Sequence, residues 1–271
     1  MIIRSPGRKH VALFDVHAPQ NVPLDGVLGY IHDAGPDHII LGGDFGNYEF
    51  ASHWNESLFK EICRSRLRKM LFREIDSQVT ILKDIRRAAG SRAEIWFIPG
   101  NHEAWIWYAC LHHRIVETCR DFESITYKTD IAKWLDDGLR ELLDRLLDAK
   151  SHRMRVLRFN EPLRIGKIVY LHGHQFGTGS LNNTTCKRWP HVNLVFGHRH
   201  QHEVAPVHNQ ADPHKFYEHV CVPALSKLAP GYEKDKSSRH SNGFWVADIT
   251  KDGMFDGRVR KVFNGKLVQS Q

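Results

Sequence analysis

The 271-residue sequence predicts a layered α/β protein with a mixed β-sheet. Two observations predict it. Up to residue 196, short apolar runs of strand length alternate with longer stretches of helical periodicity. Beyond that point, strand-like runs follow one another without helical pattern between them.

The elements follow in order. "VALF" (11–14) is the first strand and leads directly into Asp15. "PLDGVLGYIHDAG" (23–35) places Leu24, Val27, Leu28 and Ile31 on one helical face, with Gly35 as a stop. "HIIL" (38–41) is a second strand, followed by "GGD". Residues 57–89 carry Leu58, Ile62, Met70, Ile75, Val79, Leu82 and Ile85 at mostly three-to-four spacing, which predicts one or two helices ending at Gly90. "EIWFIP" (94–99) is the third strand, and the pattern from 104 to 149 is again helical. "KIVYL" (167–171) and "NLVF" (193–196) are the fourth and fifth. "FYEHVCV", "GFWVADI" and "GRVRKVF" then read as an antiparallel meander. The segment of about 104–160 is long for a simple crossover and is expected to be a helical cap inserted into a single domain spanning 1–271.

Composition narrows the class. At 41% hydrophobic and 25% charged, the chain resembles an ordinary globular protein. No apolar stretch reaches the roughly 18–20 residues that span a bilayer, so no membrane role is expected. "MIIRSPGRKH" lacks a long apolar core, which predicts no secretory signal. Five cysteines without CxxC spacing argue against a disulfide framework and for a reducing, cytoplasmic setting. The net charge of +7 permits attraction to phosphates, although "RSRLRK" (64–69) and "RMRVLR" (153–158) read more simply as solvated faces. Nineteen histidines invite a search for a site.

That search succeeds at the ends of the first five strands. "VALFDVH" ends in Asp15 and His17, "IILGGD" in Asp44, and "WFIPGNHE" in Asn101 and His102. "IVYLHGH" ends in His172 and His174, and "LVFGHRH" in His198 and His200. Open α/β sheets bind ligands just beyond the carboxyl ends of their strands, and glycines there let the backbone approach closely. Five such ends would gather Asp, Asn and His in one cleft, a donor set suited to borderline divalent ions.

In this order, Asp15-Val16-His17, Gly43-Asp44, Gly100-Asn101-His102-Glu103, His172-Gly173-His174 and Gly197-His198-Arg199-His200 resemble the calcineurin-like metallophosphoesterases. The resemblance implies a four-layer α/β/β/α sandwich with two divalent metal ions, drawn from Mn, Fe, Zn or Ni with manganese favoured. It implies that Asp15, His17 and His200 hold the first ion, that Asn101, His172 and His198 hold the second, and that Asp44 bridges them. A bridging hydroxide would attack phosphorus, with His102 as general acid or transition-state stabiliser. Phe45, Asn47 and His174 are candidate substrate contacts. His174 and His202 are candidates for orienting ligand histidines, and Trp105, Trp107 and Tyr108 for stacking on a base. His112 and His113 are expected on a helix surface.

Other chemistries lack their signatures. "HEAWI" is not HExxH, and neither a GxxxxGK[ST] loop nor a GxSxG elbow occurs. "GGDFGNYEF" lacks the Asp-Arg pair of the protein Ser/Thr phosphatase branch, so the phage- and bacterium-type members are the better match. The expected substrate is a phosphate ester of nucleotide or nucleic-acid type, diesters ahead of monoesters. A nuclease on polymeric DNA or RNA, and a catalytically silent metal-binding interaction module, are the alternatives.

Overall fold

The computed structural model describes residues 2–3, 8–52, 64–112, 131–176, 181, 185, 187–208, 216–228 and 239–268, with backbone alone at 2–3, 64, 108–112, 131–136 and 208. Strands β1 (Ile2–Ile3) and β2 (Arg8–Leu13) precede helix α1 (Asp25–Ala34) and β3 (His38–Leu41). Helix α2 (Arg64–Ala89), β4 (Glu94–Phe97), α3 (Asn101–His112) and α4 (Ile131–Leu146) follow. Then come β5 (Met154–Val156), β6 (Leu163–Ile165), β7 (Ile168–Leu171), β8 (Asn193–Phe196) and β9 (Glu203–His208). The chain closes with β10 (Phe216–Cys221), β11 (Gly243–Ile249), β12 (Phe255–Phe263) and β13 (Lys266–Leu267).

The strands form two mixed sheets. The seven-stranded sheet runs β13-β12-β11-β2-β3-β4-β5, and the six-stranded sheet runs β1-β6-β7-β8-β10-β9. Strands β2, β3 and β4 are parallel and adjacent, with Leu13 beside Leu41 and Leu41 beside Phe97. In the smaller sheet β7, β8 and β10 are parallel neighbours. Parallel pairing places all carboxyl ends of such neighbours on one edge.

The period-two alternation of each strand sorts its residues between two cores. Ala12, Phe14, Ile40 and Trp96 of the larger sheet meet Ile168, Tyr170, Val195 and Val220 of the smaller one, forming the layer between the sheets. The alternate residues Val11, Leu13, Ile39, Leu41, Ile95 and Phe97 face the helices, where Val27, Leu71, Leu82, Leu139 and Leu143 cover them. Strands buried on both faces read as unbroken apolar runs, which is why "VALF", "HIIL" and "KIVYL" show no polar alternation. The outer face of the smaller sheet, through Val169, Leu171, Leu194 and Phe196, packs against Phe176 and Leu181. The sandwich is therefore layered on both sides of its paired sheets.

Several expectations about individual elements hold. Helix α1 ends where Gly35 takes a left-handed φ of 54° and donates its N–H to the Ile31 carbonyl. Helix α2 is one continuous helix ending before Gly90, although Leu58 and Ile62 lie outside the described residues. The arginines of 153–158 lie on exposed positions, while Met154 and Val156 between them are buried as β5.

One expectation is corrected. "FYEHVCV" is not part of a meander with "GFWVADI". Strand β10 pairs with β8 and β9 in the smaller sheet, whereas β11 and β12 extend the larger one. Apolar periodicity reports burial and not which sheet does the burying. In the region expected as a helical insertion, the buried residues Trp107, Leu139 and Leu142 join the core beneath the helices, and β5 forms the sheet edge. Residues 113–130, including His113 and Cys119, lie outside the described set, as do the side chains of Tyr108 and His112. Cys221 is a buried free thiol.

Trp96 is fully buried between the sheets and donates its indole N–H to His38 Nδ1 at 3.2 Å. Trp96→Ala is expected to cost about 3–5 kcal/mol of stability, read as a lowered midpoint in urea denaturation.

Candidate metal centre

The five strand ends named from the sequence meet at one edge of the sandwich. Three loops come from the larger sheet, after β2, β3 and β4, and two from the smaller, after β7 and β8. The loops are braced against one another. The N–H groups of Asp15, His17 and Ala18 donate to the carbonyls of Gly43, Asp44 and Phe45 at 3.1, 2.9 and 2.8 Å. Gly197 N–H donates to the His172 carbonyl at 3.0 Å.

The loop backbones are unusual. Asp15, His17, Asp44, His198 and His200 all have positive φ, between 49° and 66°. Residues with a Cβ enter this region at a cost of about 1–3 kcal/mol each unless the surroundings impose it. Five such residues among the seven expected ligands mark a place where geometry is held for a purpose other than stability.

Two glycines make the close approach possible. A Cβ at Gly100 would lie 2.2 Å from Asp44 Oδ1, and one at Gly197 would lie 2.4 Å from Asp15 Oδ2. Each carboxylate is thus pressed against backbone from a different loop. Asp44 Oδ1 accepts the N–H of His102 at 2.9 Å, and Asp15 Oδ2 accepts the N–H of His198 at 2.7 Å. These bonds aim the other carboxylate oxygens inward.

Three groups of donor atoms result, each within 4.8 Å: Asp15 with His17 and His200, His17 with Asp44 and His102, and Asp44 with His172 and His198. They interlock through His17 and Asp44. His17 Nε2 lies 3.2 Å from His200 Nε2, which is 3.5 Å from Asp15 Oδ1. His172 Nε2 lies 3.1 Å from Asp44 Oδ2 and 3.0 Å from Asn101 Oδ1. The structure therefore brings together all seven residues named as ligands, and sets His102 Nε2 3.7 Å from Asp44 Oδ2. Asp15, His17, Asp44 and His172 form a buried floor, while Asn101, His102, His198 and His200 are partly exposed at the rim.

The arrangement fits divalent cations. Asp15 Oδ1 is buried and has no hydrogen-bond partner, an expensive state for a carboxylate oxygen unless a cation meets it. The donors are imidazole, carboxylate and amide, and no cysteine joins these groups among the described residues. His172 Nδ1 lies 2.9 Å from the Gly42 carbonyl, which can only accept. Nδ1 therefore carries the proton, and Nε2 faces the cluster.

Charge balance points the same way. Burial pushes the Asp44 carboxyl up, but His102 and His172 outweigh it and hold it well below the usual carboxylate range. Burial likewise opposes Asp15, and His200 draws it down. Burial acts against a charged His172 ring, yet Asp44 lifts it to about 9; Asp15 similarly raises His200. Burial, with His102, pushes His17 down to about 3, and burial with His172 takes His198 to about 4. Each carboxylate thus favours a positive charge on the imidazole beside it, a place that a cation would contest.

The weaker candidates separate. Phe45 is fully buried against Phe97, with ring centroids 6.0 Å apart, so its side chain belongs to the core and not to a substrate pocket. The Asn47 carbonyl meets His102 Nδ1. His174 stands beside the cluster, 5.8 Å from His172 and stacked at 5.0 Å on Phe159. His202 is exposed, Trp107 is buried in the core, and Trp105 lies against His102.

Sequence reasoning gave Glu103 no role, yet it braces the site. This buried carboxylate accepts N–H groups from Asp44 and Gly100 at Oε2 (2.9 and 2.8 Å) and from Phe45 and Gly46 at Oε1 (2.9 and 3.1 Å). Burial, then the charge of Asp44, pushes its carboxyl up to about 7, while backbone N–H bonds pull the other way. The signal was available: Glu103 is the third residue of α3 and reaches back to the N–H before it, half of a capping box. His240, 5.1 Å from His200, was also missed, and nothing in its local sequence announces it.

No protein-family model matches the chain, and no curated protein matches it. Two solved structures similar to it are a candidate diadenosine tetraphosphatase and Vps29 of Chaetomium thermophilum. The first is 11% identical over 96% of both chains, with a TM-score of 0.41. The second is 9% identical over 93% of this chain and 96% of that one, with a TM-score of 0.40. The chain's own two mixed sheets, and the order of its site blocks along them, agree with the resemblance read from the sequence.

Two outcomes are expected. Glu103→Ala leaves four buried N–H groups without their acceptor and should lower stability by at least about 3 kcal/mol, checked by denaturation, with metal content falling alongside. Divalent metal added at pH 7 should displace the proton of His172, whose value of about 9 keeps it charged there. Binding should therefore tighten as pH rises toward 9, with calorimetric enthalpies that depend on the buffer's ionisation heat.

Proposed function

We propose that the chain is a metal-dependent hydrolase of phosphate esters, acting on phosphodiesters of nucleotide or nucleic-acid type ahead of monoesters. Asp15, His17 and His200 hold one divalent ion, Asn101, His172 and His198 hold a second, and Asp44 serves both. Manganese comes first among Mn, Fe, Zn and Ni. The observation that most supports this reading is the convergence of these seven side chains from two sheets around Asp44 and the buried Asp15 Oδ1, which accepts no hydrogen bond.

When bound, such ions neutralise phosphoryl oxygens and acidify water. The protein's own residues do the rest. The His102 backbone and ring are tied to Asp44 and Asn47, so Nε2 faces the cluster. From there it gives a proton to the ester oxygen as the phosphorus–oxygen bond breaks. The oxygen of the attacking water takes the vacated place on phosphorus, and its own proton passes to solvent. Asn101, at the rim, sets the amide of its side chain beside His172.

A second reading rests on one observation: His102 shares a donor group with His17 and Asp44, the geometry of a ligand. His102→Ala separates the two. Unchanged metal content with turnover reduced about 10²–10⁴-fold supports the proton donor, whereas parallel loss of metal makes His102 a ligand.

Purified protein loaded with Mn²⁺ should hydrolyse bis-p-nitrophenyl phosphate, and chelation should abolish the activity. Comparison with p-nitrophenyl phosphate, cyclic nucleotides and single-stranded oligonucleotides sorts the substrate class. Asp44→Asn should reduce turnover by several orders of magnitude; near-normal turnover would remove Asp44 from its role. Tightly bound metal with no turnover on any ester would make the chain a silent metal-binding module.

A further inference from the structure

Among the described residues, three groups besides Asp44 surround the His102 ring. The Asn47 carbonyl meets Nδ1, and the His17 ring stands edge-on at 4.4 Å and 80°. The third is Trp105, whose ring lies 3.9 Å away, tilted by 34°. Trp105 follows His102 by three positions on α3, the spacing that places side chains on one helical face. It also packs against the core beneath the helices, where Ala104, Ile106 and Trp107 are buried. The indole is thus held between a rigid core and the imidazole.

We propose that Trp105 is a positioning residue: its ring closes off the rotamers of His102 that would swing Nε2 away from Asp44, and so keeps that nitrogen aimed at the leaving oxygen. The physical reason is rotational. A histidine turns about two side-chain bonds, and a single hydrogen bond at Nδ1 still permits the ring to tip. A broad aromatic surface at van der Waals distance removes that freedom, and anchoring in the core keeps the surface in place. Held in this way, His102 does not spend part of its time misdirected, and alignment of a reacting group governs rate more than binding. The inference rests on the reading of His102 as the group that meets the leaving oxygen.

The test compares Trp105→Ala, Trp105→Phe and the unaltered chain, all Mn²⁺-loaded, on two phosphodiesters, one with a p-nitrophenyl leaving group and one with an alkyl leaving group. An alkoxide needs its proton far more than p-nitrophenolate does. Trp105→Ala should therefore reduce kcat about tenfold or more on the alkyl ester and much less on the activated one, with KM and metal content near their original values. Trp105→Phe, which keeps an aromatic surface, should restore most of the loss. An equal loss on both esters, or a rise in KM alone, overturns the proposal.

A second readout needs no turnover. In the metal-free chain, the His102 ring protons lie over the indole and should resonate upfield in side-chain NMR spectra. Trp105→Ala should move them downfield and broaden them, and Trp105→Phe should restore most of the shift. If they do not move, Trp105 does not position His102, whatever the esterase assay shows. If they move and no ester is hydrolysed, the positioning stands and the hydrolase reading fails.

Discussion

Everything at the site follows from two carboxylates placed where water cannot reach them. Asp15 and Asp44 are 0% and 1% exposed, in a medium where an uncompensated charge is far costlier than in solvent. The fold surrounds them with positive or polarisable partners: backbone N–H groups from α3 and the loop after β8, and imidazoles from four of the five strand ends. Glu103 is a third buried carboxylate, and its neighbours handle it differently. It is saturated by four backbone N–H groups of its supporting loops. The contrast between a saturated carboxylate and one with a buried oxygen that accepts no hydrogen bond distinguishes scaffold from site.

Backbone strain and local braces belong together. Left-handed residues carrying side chains cannot persist in a loose loop. Here they are held by cross-loop hydrogen bonds and by glycines that admit a neighbouring carboxylate. The stability that this conformation consumes is supplied by the cores on either side. The layer joining the two sheets keeps the loops after β7 and β8 in register with those after β2, β3 and β4.

The ends of the buried strands were legible in the sequence because two signals coincided there. An apolar run stops, and a metal-binding side chain follows within a few residues. The core positions of α1 and α2 were legible from their periodicity. Sheet membership was not: "FYEHVCV" looks the same whether it lies beside β11 or beside β8. The short strands β5, β6 and β13 carry too few residues to display a period. Phe45 was misjudged because adjacency in sequence to Asp44 says nothing of direction; the backbone turns there and sends the ring into the core. Trp105 presented the reverse difficulty, since an aromatic residue one helical turn beyond His102 could equally have faced inward.

The cluster draws its members from both halves of the sandwich. His172 belongs to the smaller sheet yet reaches the Gly42 carbonyl and Asp44 of the larger, and Asp15 of the larger sheet holds the His198 backbone of the smaller. Occupancy of this cradle by a cation and cohesion of the molecule would consequently be a single equilibrium. An ion seated there would act as a rivet through two plates, and stripping it out would loosen the joint.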